Sequence, residues 1–221
     1  MELIQLLVSE FEKHQNTANA VPMEKYMKNR YPFLGIKTPL RREIMKKFYK
    51  ETGLLKEPFH KGFVLDLWEL EEREYQNAAL DYIDRSLKKL EKEDITLIEQ
   101  LITTKSWWDT VDTLATKAVG KIAKDNPSVI QEKIEDWAYG EHLWLRRTAI
   151  LFQLKYKENT DEELLYRFIK QNADSKEFFI QKAIGWALRE YSKTNPHSVK
   201  QFIEKTPLQR LSIREGSKYL S

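Results

Sequence analysis

The residues of this chain best placed to do chemistry gather in "TKSWWDTVD", residues 104–112, where two adjacent tryptophans precede two aspartates three residues apart. Read as a helix start, Ser106 fits the N-cap and Asp109 completes an S-x-x-D capping pattern, so that aspartate has a structural task. Asp112 lies past the first turn, where neither capping nor the helix dipole accounts for a carboxylate. Trp108 and Asp112 are four residues apart and share one helix face, about 5–6 Å apart at Cβ. Trp107 aligns instead with Val111 and Leu114 on a core face. The leftover pair is either a partly buried tryptophan beside a solvated acid or the beginning of a site.

A second tryptophan repeats the pattern. In "SKEFFIQKAIGWALREY" the core stripe is Ile180, Ala183 or Ile184, and Ala187 or Leu188. Trp186 falls off that stripe, close to Lys182 and Arg189. A tryptophan between cations on a non-core face could stack on a base, a sugar or a guanidinium, or pack against a neighbouring helix. Arg147 lies three and four residues from Leu143, Ile150 and Leu151 in "LWLRRTAILFQLKY", so its charge is partly desolvated and needs an anion. An acidic side chain and a phosphate are the two candidates. Tyr26 sits in the basic block "MEKYMKNRY", where aromatic and cationic residues interleave; it packs or contacts a nucleic-acid backbone.

These side chains need helices to position them. Segments such as "EYQNAALDYIDRSLKKL" and "DEELLYRFIKQ" repeat apolar residues at three and four, and helix punctuation falls at Asn126-Pro127, Thr160-Asp161 and Asn195-Pro196. The expectation is all-α, roughly a dozen helices with short loops, in one domain over residues 1–221. An internal repeat supports it. Ala79, Ala115, Ala149 and Ala183 are separated by 36, 34 and 34 residues, each with an apolar residue four before it: Tyr75, Val111, Leu145 and Phe179. A small residue mid-helix every 35 or so residues suits stacked helix pairs, an α-solenoid.

Composition narrows the function classes. Apolar residues at 41% and charged residues at 32% describe a globular chain, and no cysteine offers disulfide or thiolate chemistry. The four histidines are scattered, outside any metal-ligand spacing. No phosphate-cradling glycine loop or nucleophile elbow is present, so an enzyme here works with carboxylates, aromatics and bases. No signal peptide or membrane span is legible, which makes the cytoplasm the default location. The net charge of +3 hides an uneven distribution. Residues 23–50 hold nine Lys/Arg against two acids, residues 51–104 seven against thirteen, and residues 182–221 eight against three. Basic ends around an acidic middle suit a polyanion touching selected elements, or are uneven solvated faces.

The blocks "YMKNRYPFLGIKTPLRR", "LWELEEREYQNAALD", "TKSWWDTVD", "WLRRTAILFQLKYK" and "SKEFFIQKAIGWALREYSKTNP" together resemble the AlkD-like DNA alkylation-repair family, in order over nearly the whole chain. The resemblance implies a HEAT-like helical-repeat fold with a concave basic face for double-stranded DNA. It implies a monomeric, monofunctional glycosylase that hydrolyses cationic alkylpurines such as N3-methyladenine and N7-methylguanine from DNA, with no metal and no cofactor. The family's catalytic carboxylate matches Asp112, its companion aromatics Trp108 and Trp186, its phosphate-contacting arginine Arg147, and its DNA-contacting tyrosine Tyr26. Lys182 and Arg189, flanking Trp186, are expected to join the DNA contacts. A non-catalytic DNA-binding accessory solenoid and a protein-interaction scaffold are the alternatives.

Overall fold

The computed structural model describes residues 2–220, and no strand occurs among them. The chain is all-α and separates into two compact units, Met1–Leu90 and Glu91–Ser221, each taken in turn.

In the first unit, α1 (Glu2–Glu12), α3 (Thr38–Thr52), α4 (Lys61–Glu69) and α5 (Arg73–Arg85) pack on one another, with α2 (Thr17–Tyr26) between α1 and α3 in sequence. Their shared core is aromatic: Phe11 stacks on Tyr75 with centroids 5.5 Å apart, and Phe63 meets Phe48 at 5.8 Å and Tyr82 at 5.3 Å. The link from α2 to α3 is fixed from below by Glu74. Its buried carboxylate accepts the backbone N–H groups of Leu34, Gly35 and Ile36 at 2.9–3.0 Å. Burial pushes the Glu74 carboxyl up, and those amide bonds oppose the rise. Gly35 takes a left-handed φ of +86°, and a Cβ there would lie 2.0 Å from the Asn16 carbonyl oxygen. Gly35→Ala is therefore expected to cost about 2–3 kcal/mol through strain and displacement of this loop. A urea titration should show a lower midpoint with an unchanged slope.

In the second unit the chain runs through α6 (Ile95–Thr103), α7 (Trp108–Thr113), α8 (Gly120–Asp125), α9 (Glu135–Tyr139), α10 (Leu143–Leu151), α11 (Glu162–Gln171), α12 (Phe178–Tyr191), α13 (Pro196–Lys205) and α14 (Arg210–Gly216). Between α7 and α8 the backbone stays helical through a wider π-helical stretch, Leu114–Val119. Two of the expected start signals act as such: Asp161 caps the Leu164 N–H and Asn195 caps the Ser198 N–H.

The repeat read from sequence is visible in the packing. Ala79, Ala115, Ala149 and Ala183 are all buried, as small residues at helix crossings must be. Polar links then join residues about one repeat apart. The Asn172 amide donates to the Ala138 carbonyl at 3.1 Å, the Tyr156 hydroxyl to Gly120 at 2.5 Å, and the Asn195 amide to Glu162 at 3.2 Å. Each link satisfies a buried or half-buried polar group while fixing one helix pair against the next.

Candidate functional site

The start of α7 departs from the expected capping box. Trp107, not Ser106, is the N-cap residue; its backbone is fully extended and its side chain makes no capping bond. Ser106 faces backward, its hydroxyl donating 2.6 Å to the Ile102 carbonyl in the last turn of α6. Lys105 just before it adopts a left-handed φ of 47°, which turns the chain ahead of the helix. Asp109 falls at the second helical position, where the helix dipole favours an acid.

That extended turn delivers Trp107 into an aromatic cluster. Its ring lies 5.8 Å from Trp144 and 5.1 Å from Phe179, and Trp144 and Phe179 are 4.9 Å apart. Three successive repeats each supply one ring. The core role expected for Trp107 with Val111 and Leu114 holds, since all three are buried. Trp108, on the first turn of α7, is half-buried, and Asp112 follows one turn later.

Asp112 and Arg147 meet directly. Arg147 Nε donates 2.7 Å to Asp112 Oδ1 and its Nη2 donates 2.9 Å to Oδ2, a two-pronged fork. The third prong, Nη1, donates 2.5 Å to the Phe179 carbonyl, and the guanidinium carbon sits 5.8 Å from the Phe179 ring centre. Of the two anions expected for Arg147, the structure supplies the acidic side chain. The arginine side chain is 5% exposed, that of Asp112 15%. Each carboxylate oxygen keeps a second lone pair beyond the arginine bond, and it is the aspartate that reaches solvent.

Burial pushes the Asp112 carboxyl above its ordinary range; the Arg147 hydrogen bonds and charge pull against that, and the nearby Asp109 charge adds to the rise. The arrangement is a carboxylate with a fixed orientation and a matched counter-charge behind it, the guanidinium itself lying near the Phe179 ring. Such a group stabilises a developing positive charge and accepts a proton from water.

Trp186 is half-buried against the apolar core of the second unit, on the α12 face that also carries Lys182 and Arg189. Both cations are engaged by Glu215 of α14, at 3.3 and 3.2 Å. Tyr26 belongs to the first unit, where it ends α2 and is 69% exposed. The sequence reading missed Glu215 and the part played by Phe179. Glu215 had a signal, an acid among Arg210, Arg214 and Lys218. The Phe179 contribution is a backbone oxygen, invisible to residue type.

An all-α chain of repeated helix pairs, with a buried carboxylate–guanidinium pair bridging two repeats, defines the class. The chain belongs to the DNA alkylation repair enzyme family, whose model matches residues 7–220. It is similar to a structure described as a predicted DNA alkylation repair enzyme from Enterococcus faecalis, at 35% identity and a TM-score of 0.86, covering 94% of this chain and 97% of that one. The crystal structure of smu.31 from Streptococcus mutans shares the fold at 18% identity and a TM-score of 0.59, covering 82% and 98%. No curated protein sequence matches the chain.

Proposed function

We propose that this alkylation-repair protein is a DNA glycosylase that hydrolyses the N-glycosidic bond of cationic alkylpurines, N3-methyladenine and N7-methylguanine among them, in duplex DNA. An N3- or N7-alkylated purine already carries a positive charge, so it leaves without being protonated. The C1′–N bond breaks with its electron pair moving to the purine, which departs neutral. The sugar develops oxocarbenium character, and water attacks C1′ and gives up a proton. Asp112 serves both needs: its negative charge stabilises the oxocarbenium, and its open lone pairs orient the water and accept its proton. Trp108 and Trp186 hold the cationic nucleotide through their π faces, each contributing about 0.5–2 kcal/mol. Tyr26, Lys182 and Arg189 contact the DNA backbone.

The single observation that carries this reading is the geometry of Asp112, an ionisable group fixed by Arg147 yet open on its other edge. Arg147 then acts chiefly on the carboxylate, holding it oriented and ionised; any phosphate bond it makes is additional. A non-catalytic DNA-binding role is the second reading. The arginine fork fits it equally, because a purely structural ion pair has the same shape.

Excision has a pH signature. Since Asp112 acts ionised and burial raises its pKa, single-turnover rates should fall as pH drops through a midpoint above about 4, the value of an exposed aspartate. A rate profile flat down to that value would remove Asp112 from the ionised role.

A further inference from the structure

In the second unit α12 and α14 cross closely, and glycine makes the approach possible. A Cβ on Gly185 would lie 2.5 Å from Glu215 Cβ, and one on Gly216 3.1 Å from Leu188 Cβ. The Ser212 hydroxyl ties the pair by donating 3.0 Å to the Gln181 carbonyl. This approach buries Glu215 among cations from α12, α14 and the turn that follows α14. Lys182 Nζ and Arg214 Nη2 lie 3.3 and 3.8 Å from Oε1; Arg189 Nη1 and Lys218 Nζ lie 3.2 and 2.7 Å from Oε2.

Four cations around one carboxylate leave three positive charges uncompensated. The Lys218 hydrogen bond, with help from Lys182, holds the Glu215 carboxyl at about 2, so it stays ionised across the physiological range. One anion alone does not account for so many cations. Exposed ion pairs add little stability, so the outer cations Arg214 and Lys218 contribute little as structural partners. Arg214 and Lys218 are 73% and 47% exposed at their side chains, so they retain donors for a second anion. Lys182 and Arg189 stand one turn before and one turn after Trp186 on α12, which puts the cluster beside the aromatic residue assigned to the nucleotide.

We infer that the Glu215-centred cluster is a phosphate clamp for the duplex backbone, extending the DNA contacts onto α14 through Arg214 and onto the turn after it through Lys218. Glu215 is its internal counter-ion, gathering the four cations at one place. The inference rests on the nucleic-acid reading above but not on catalysis, because the clamp acts on undamaged DNA as well.

The test is the salt dependence of full-length protein binding to an unmodified fluorescent duplex, followed by anisotropy. Removing one cation that neutralises a phosphate should reduce the slope of log K against log salt by about 1. Arg214→Ala with Lys218→Ala is expected to flatten the slope by about 2. Lys155→Ala with Lys205→Ala, which removes the same charge from exposed positions elsewhere, should leave the slope at the wild-type value. An unchanged slope in the first pair, an equal flattening in the second, or absence of salt-dependent binding by the wild type would each overturn the clamp. Failure of base release from methylated DNA, with the slopes behaving as stated, would sink the glycosylase reading and leave the clamp standing.

Discussion

Asp112→Asn should lower release of methylated purines by at least about 100-fold while leaving DNA binding in place. The substitution preserves shape and one acceptor but removes the charge proposed to face the oxocarbenium and the base proposed to take the water proton. It also unbalances a buried pair. Arg147 keeps one prong on the amide oxygen and loses the other, near the Phe179 ring. Breaking such a pair costs about 3–5 kcal/mol when one partner is removed outright. The denaturation midpoint must therefore be measured beside the rate, and assays run well below it. Retention of full excision by the folded variant would remove Asp112 from catalysis.

Arg147→Met carries the second large effect, and it distinguishes two roles for the arginine. The side chain is almost wholly buried and gives three donors to Asp112 and the Phe179 carbonyl. Its removal leaves a carboxylate beside apolar groups without its counter-charge, with an expected destabilisation of about 3–5 kcal/mol. The Asp112 pKa, already raised by burial, climbs further when its opposing partner is gone. The acid limb of the excision profile should move to higher pH. Arg147→Lys, which restores charge without the fork, should shift it less. An arginine that only bound phosphate would instead weaken DNA affinity and leave the pH profile where it is. Combining Arg147→Met with Asp112→Asn removes both halves of the pair, and stability should recover in part while excision does not.

These effects show which features sequence patterning captures. Helix crossings require small residues, so Ala79, Ala115, Ala149 and Ala183 marked the repeat, and all four are buried. The off-stripe argument separated Trp107, now in the aromatic cluster, from half-buried Trp108. Arg147 was legible as a desolvated cation in need of an anion, but residue types alone left the choice between carboxylate and phosphate open. What escaped depends on backbone. The helix starts one residue later than the pattern places it, with Trp107 as N-cap and Lys105 left-handed just before it. The Phe179 carbonyl that receives Arg147 has no residue-type signature. Glu215 became meaningful only when Gly185 let α14 close onto α12. The division after Leu90 was equally silent, since no Gly-, Pro- or Ser-rich linker marks it.

The proposed glycosylase activity of this fold, resting on Asp112, is open to direct test. Its most direct measurement is incubation of the wild-type protein with duplex DNA carrying radiolabelled N3-methyladenine and N7-methylguanine, followed by chromatography of released bases. Free methylated purines should appear with an equal number of abasic sites, and the strand should stay intact until alkali is added. Tight DNA binding at stoichiometric protein, with no base released above the spontaneous rate, would contradict the account and leave a non-catalytic DNA-binding protein in its place.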